Sequence, residues 1–203
     1  FVSAWHALQE AVAQGTRAAI PESEASSDVG ASEPLGAGTL AELVLRDNLL
    51  NRSRIERAYR RAIGEARHDI IIANAYFVPG GKLRKSLIHA ATRGVRVRLL
   101  LQGRYEYFMQ YHAARPVYGA LLAAGVEIHE YSASFLHAKV AVIDGHWATV
   151  GSSNLDPLSL LLAREANVAV MNEPFARELR ESIDHEIRHG ATAVQRLLWK
   201  RRS

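Results

Sequence analysis

The chain has no cysteine, so disulfides, thiolate metal sites, iron–sulfur clusters and a cysteine nucleophile are excluded, and composition says nothing of redox compartment. Any nucleophile is another residue type. A long apolar run is also missing: Ile70–Ala73 and Leu158–Ala163 are bounded by charge or Asn within a few positions, well short of the roughly 18 residues a spanning helix needs. The sequence opens on Phe1 without the basic start and apolar centre of a signal peptide, which makes a piece of something longer the expected reading. What is present suits a globular chain: 203 residues, 48% hydrophobic and 23% charged. At roughly 150 residues per domain this length accommodates one domain and an appendage, and a compact domain of this size buries about 70% of its extended surface.

Charge is unevenly placed. Residues 1–40 hold five carboxylates and one arginine, a net of −4, which leaves the rest with twenty-four Lys or Arg against sixteen Asp or Glu, a net of +8. Arg52, Arg54, Arg57, Arg60 and Arg61 crowd one predicted helix, and Lys200, Arg201 and Arg202 close the chain. Such a field attracts nucleic acid, anionic lipid or a phosphorylated substrate without choosing among them. A solvated helix face is the plainer reading of the arginine run.

Trp5, Leu8 and Val12 recur at helical spacing, so residues 1–20 read as the last helix of a preceding unit. Residues 21–39, rich in Ser, Glu, Gly, Ala and Pro, cannot bury enough apolar surface to offset their ordering entropy and read as an acidic linker. From residue 40 to 203 the pattern becomes regular. Strands are expected at 40–46, 69–76, 95–102, 126–131, 136–143, 146–151 and 164–171, and helices at 52–67, 82–93, 116–124 and 174–199. Alternating strands and helices imply an α/β fold, a mixed β-sheet flanked by helices on both faces.

Polar chemistry concentrates in residues 136–160. Side chains alternate along a strand, so His137 and Lys139 share one side, about 6.6 Å apart. Asp144-Gly145 supplies a hairpin turn. The chain then returns to Gly151-Ser152-Ser153-Asn154 and to Asp156-Pro157, which suits a helix start. Hydroxyls, an amide and backbone N–H groups at such a place are donors of the kind that hold phosphate. Histidine can attack phosphorus, and lysine can neutralise charge on the non-bridging oxygens, which points to phosphoryl chemistry without a metal.

His137-x-Lys139-x4-Asp144 followed by Gly151-Ser152-x-Asn154 resembles the HKD motif of the phospholipase D superfamily, and Glu165 in Arg164-Glu-Ala-Asn-Val168 matches the glutamate of its following strand. Ile71–Pro79 and His146–Leu160 look like the later half of the bacterial cardiolipin synthases of the B type, a resemblance covering roughly residues 40–190. It implies one half of a two-HKD pseudo-dimer that transfers a phosphatidyl group through phosphohistidine, with no cofactor. His137 would be nucleophile or acid and Glu165 would orient its ring. Lys139, Ser152 and Asn154 would hold phosphate, and Asp144 counts with the catalytic set, although turn geometry alone also selects an Asp before Gly. Ser152 and Asn154 also suit a helix cap. The implied partners are an anionic phospholipid such as phosphatidylglycerol, the cytoplasmic face of a bacterial membrane, and a second HKD from an upstream half or a second copy. A phospholipase D-type hydrolase or a homodimeric nuclease uses the same chemistry, though nucleic acid is the less expected partner, and a non-catalytic phosphate-binding half-domain is the remaining alternative.

Two features lead elsewhere. His185-Glu-x-x-His189 fits a zinc-protease pattern, yet none of the fourteen residues after His189 is His, Asp, Glu or Cys, so the downstream ligand is missing. Gly80-Gly81-Lys82 lacks the spacing of a phosphate loop and reads as a plain loop. Arg98, Gln102 and the basic helix are candidates for headgroup contact.

Overall fold

A computed structural model describes residues 40–46, 53–104, 117–156 and 165–195. The expected helix over 1–20, the linker over 21–39, Arg52, the helix start at Pro157 and the Lys200–Arg202 cluster lie outside the described residues. Eight strands form one sheet: β1 (Leu40–Arg46), β2 (Asp69–Asn74), β3 (Arg96–Gln102), β4 (Glu127–Tyr131), β5 (Lys139–Ile143), β6 (Trp147–Gly151), β7 (Glu165–Met171) and β8 (Ala191–Ala193). Helix α1 (Arg54–Glu65) leads into β2 and α2 (Gly81–Thr92) into β3; residues 117–123 form the described part of α3, and α4 (Glu173–Gly190) follows β7.

The sheet order is β1-β7-β6-β5-β2-β3-β4-β8. Strands β2, β3 and β4 run parallel, while β5, β6, β7 and β1 are successively antiparallel. The seam is the β2–β5 pair. β2, Asp-Ile-Ile-Ile-Ala-Asn, is buried throughout, as a central strand covered on both faces should be. Ile70 and Ile72 face one core and Ile71 and Ala73 the other. The first core packs under α1, α2 and α3 through Ile55, Tyr59, Ile63, Leu83, Leu87 and Leu121. The second packs under α4 through Phe175, Ala176, Leu179 and Ile183, one stripe at helical spacing. Asn172 caps α4 by accepting the Phe175 N–H at 2.8 Å, with Pro174 in the first turn.

Two boundaries depart from the sequence reading by three residues or more. β5 begins at Lys139, not 136, so His137 precedes the strand. The long final helix stops at Gly190, where the chain turns into β8 and pairs antiparallel with β4. A Cβ on Gly190 would overlap the Tyr131 ring, so close packing against β4 ends a helix that the Ala-containing sequence beyond it would otherwise extend.

Candidate active site

The C-terminal ends of β2 and β6 and the N-terminal ends of β5 and β7 meet at one edge of the sheet. Asn74 lies opposite Lys139, and Gly151 lies opposite Asn167. Alternation puts these residues on one face, the one whose inner positions are Ala141 and Ala169. Gly151 leaves the space that makes the row possible: a Cβ there would overlap the Asn167 side chain and the Ala166 carbonyl. Asn167 Oδ1 accepts the Ser153 N–H at 3.4 Å and Asn74 Oδ1 accepts the Leu155 N–H at 3.3 Å, so two buried amides fix the turn carrying Ser152 and Asn154. A backbone bond from Val78 N to Leu155 O at 3.0 Å ties the same turn to the segment after β2.

Lys139 is only 6% exposed. Burial pulls its ammonium below the usual lysine range, and the Glu165 carboxylate opposes that effect. Its Nζ donates to the His137 carbonyl at 3.0 Å. The His137 side chain is exposed, and among the described residues nothing hydrogen-bonds its ring. Its backbone is firmly held. Leu136 N donates to Gln102 Oε1 at 3.3 Å, Ala75 N donates to the Ala138 carbonyl at 3.0 Å, and Arg104 donates to the carbonyls of Ser132 at 2.7 Å and Ala133 at 3.1 Å. The Arg104 guanidinium also lies 5.9 Å from the ring centre of exposed Phe135.

Ser152 Oγ donates to Glu165 and accepts the Ala166 N–H at 3.1 Å, joining the ends of β6 and β7. Asn154 Oδ1 and Asn74 Nδ2 are buried without partners among the described residues. An unmade buried hydrogen bond is costly, so this edge offers one donor and one acceptor to a polar guest beside an ammonium. Lys139, Ser152, Asn154 and Glu165 therefore gather at the edge that His137 enters.

Asp144 does not join them. It lies at the far end of β5, five residues or roughly 16 Å from Lys139 at strand rise. Its carboxylate accepts the N–H groups of Arg67, His68 and Asp69 at 2.8, 2.8 and 2.9 Å. Burial works to raise its pKa, but these three bonds prevail and hold it below the ordinary carboxylate range. The turn geometry, with Asp144 at φ 50 and Gly145 at φ 70, is that of an Asp-Gly hairpin. The third HKD residue is a brace between the hairpin tip and the start of β2.

Arg98 is also not a headgroup contact: it is 5% exposed and pairs with Asp69 at 3.2 Å and with Asp184 on α4. Gln102 holds the His137 loop. Gly80 and Gly81 are the cap and first residue of α2 rather than a free loop. His185 and His189 stack with ring centres 4.3 Å apart, and among the described residues no three His, Asp or Glu side chains converge to hold a metal. The sequence reading gave no role to Asn74, Thr149, Asn167 or Arg104. Thr149 accepts from Asn167 Nδ2 at 3.4 Å. A signal existed for Asn74 and Asn167, since an Asn within or at the end of an apolar strand must be buried with a purpose. Arg104 carried none.

The fold is the one found in phospholipase D-type proteins. It superposes on the phospholipase D family member Nuc from Salmonella typhimurium with a TM-score of 0.65 at 18% identity, covering 77% of this chain and 99% of that one. It superposes on the phosphatidylserine synthase of Haemophilus influenzae with a TM-score of 0.60 at 12% identity, covering 82% and 42%. Within this class, the family model described as "Cardiolipin synthase, PLD-like domain" matches residues 59–187, and the chain belongs to that family. It is 48% identical over 142 residues to cardiolipin synthase B of Escherichia coli K12, covering 70% of this chain and 34% of that protein. It is 36% identical over 129 residues to the probable cardiolipin synthase YwiE of Bacillus subtilis, covering 64% and 26%. The chain thus spans about a third of the length of the first of these relatives.

Proposed function

We propose that this chain carries one of the two histidine half-sites of an enzyme that moves a phosphatidyl group between phospholipids, the other half-site coming from an upstream half or from a second copy. The reading is carried by the coincidence of Lys139, Ser152, Asn154 and Glu165 at the edge His137 enters with 48% identity to a protein named cardiolipin synthase B. The HKD pattern occurs once in this sequence, so one histidine alone cannot act as both nucleophile and acid.

With His137 as nucleophile, a ring nitrogen bonds to the phosphorus of phosphatidylglycerol, the phosphorus–oxygen bond to the headgroup glycerol breaks, and the second histidine protonates the departing oxygen. That second histidine, now neutral, removes the proton from a hydroxyl of another phosphatidylglycerol as its oxygen attacks phosphorus. The phosphorus–nitrogen bond breaks, His137 is regenerated and cardiolipin leaves. With His137 as acid the two roles exchange. Lys139 and Asn154 hold the phosphate, Ser152 supports them through its bond to Glu165, and Glu165 orients the imidazole once the ring, which it does not contact in this structure, turns in to it. The site works at the cytoplasmic surface of a bacterial membrane, to which the protein binds peripherally; among the described residues no helix is long and apolar enough to cross one.

The test supplies the two-motif protein with labelled phosphatidylglycerol vesicles in one tube and single-stranded DNA in another. Cardiolipin and free glycerol from the first, with intact DNA in the second, is the expected result; cleaved DNA with untouched lipid would establish the nuclease alternative instead. His137→Ala is expected to cut turnover about a thousandfold or more, and a near-normal rate in that variant would leave only the non-catalytic reading.

A further inference from the structure

Helices α1 and α2 precede the parallel strands β2 and β3, so they run in the same direction, and they pack side by side over the first core. Their N-terminal ends meet beside the catalytic edge: a Cβ on Gly80 would lie 4.0 Å from Glu56 Oε2, and the chain entering α2 is bonded to Leu155. On α1 the exposed stripe is Arg54, Arg57 and Arg61; on α2 it is Lys82, Lys85 and His89. Each repeats at i, i+3 and i+7, the spacing that keeps side chains on one helix face. Together the two helices hold seven Arg or Lys against two Glu, a net of +5. Arg61 pairs with Glu65 at 3.2 Å, whereas Arg54, Arg57, Lys82 and Lys85 pair with no carboxylate among the described residues. The opposite layer has the other sign, α4 carrying five Asp or Glu against three Arg.

We infer that the outer face of the α1–α2 pair is the surface on which this protein rests against an anionic lipid layer, with the catalytic edge at its rim. The inference rests on the lipid reading above and adds the orientation. Cations near a negatively charged leaflet are attracted over about a Debye length, and a layer with two parallel cation stripes gains that attraction while the α4 layer is repelled. Lipid is favoured over nucleic acid because the chain belongs to the cardiolipin synthase family and because the twelve-residue helices present a flat double stripe about 18 Å long. The footprint ends where the chain entering α2 is bonded to Leu155, in the turn that carries Ser152 and Asn154.

The test measures co-sedimentation of the His137→Ala protein, so that turnover plays no part. The vesicles are phosphatidylcholine containing phosphatidylserine, an anionic lipid that is not the proposed substrate, against phosphatidylcholine alone. Arg54→Gln/Arg57→Gln/Lys82→Gln/Lys85→Gln is expected to weaken partitioning onto the anionic vesicles at least about a hundredfold. Arg177→Gln/Arg188→Gln on α4 is expected to bind like its parent. Glutamine keeps helix propensity, and swapping each of the four between Arg and Lys should restore binding, which separates charge from any loss of fold. The inference is overturned if the fourfold variant binds the anionic vesicles within about threefold of its parent, if the α4 variant loses as much, or if the fourfold variant loses only its affinity for DNA. Failure of the two readings looks different. A wild-type protein that binds vesicles but turns over no lipid sinks phosphatidyl transfer and leaves the surface standing; one that makes cardiolipin yet binds vesicles equally without the four cations does the reverse.

Discussion

Asp144 shows how one residue can belong to a motif and yet lie at the far end of its strand, bonded to the backbone there. Three backbone N–H groups converge on its carboxylate, and its φ of 50 is in the left-handed region, which Asp and Asn tolerate better than other non-glycine residues. Asp144→Ala therefore leaves three donors without their acceptor and strains the turn, with an expected cost of about 1–3 kcal/mol; Asp144→Asn, which keeps one acceptor and the turn preference, should cost less. The carboxyl is held below its ordinary range in the folded state, so the ionised group stabilises the fold above the unfolded aspartate pKa of about 3.9. That contribution disappears as pH falls through the lower folded value. Urea titrations of wild type and Asp144→Ala at neutral and acid pH check this: the gap is expected to be full at neutrality and to narrow below about pH 4. His137 and Lys139 were read as a pair from the strand period, Ser152 and Asn154 from the polar run before Asp156-Pro157, and Glu165 from the family resemblance alone. Asp144 was legible as a turn whose place after β5 already set it far from Lys139, and only the register of β5 against β2 decided which N–H groups it braces.

Among the elements, α4 is attached to the sheet by apolar packing and by one ion cluster. Arg98 of β3 reaches Asp69 of β2 and Asp184 of α4, while Arg180 of α4 reaches Asp69 at 3.4 Å and Asp184 at 3.7 Å. Removing one member of a buried pair leaves its partner charged and poorly solvated. Arg98→Met is expected to destabilise by about 3 kcal/mol, the low end of the usual range because Arg180 remains beside both acids. Adding Asp184→Leu to Arg98→Met should recover part of that loss. Denaturant midpoints for the single and double variants check the order, and a double variant worse than the single would show that the cluster does not act as a unit. The sequence reading named Arg98 only as a candidate for headgroup contact. Asp184, its partner, is 86 residues away.

At the scale of the molecule, the sheet has a protected centre and two thin margins. β2 lies between β5 and β3 with helices on both faces, whereas among the described residues β1 and β8 each pair on one side only. Opening that exposes Ile70–Ala73 requires both cores to separate; fraying β1 or β8 requires little. Hydrogen exchange followed by mass spectrometry is expected to show slowest exchange in 69–74 and 139–143 and fastest, among strands, in 40–46 and 191–193. Comparable protection at margin and centre would mean that another surface covers those edges.

The sequence alone determined what is local and periodic: buried strands and amphipathic helices from the period of apolar residues, and the Asp-Gly turn from the backbone it demands. Those features depend on neighbours within a few positions, and each is governed by short-range sterics or hydrophobic patterning. Pairing across the sheet was decided only by the tertiary structure. The register of β2 with β5 and of β6 with β7 set Asn74 beside Lys139 and Asn167 over Gly151, the packing of α4 on the sheet buried Arg98 against Asp184, and pairing with β4 turned Ala191–Ala193 from helix into strand. Such contacts join residues tens of positions apart, where the energy of each arrangement depends on which partner the whole core brings within reach.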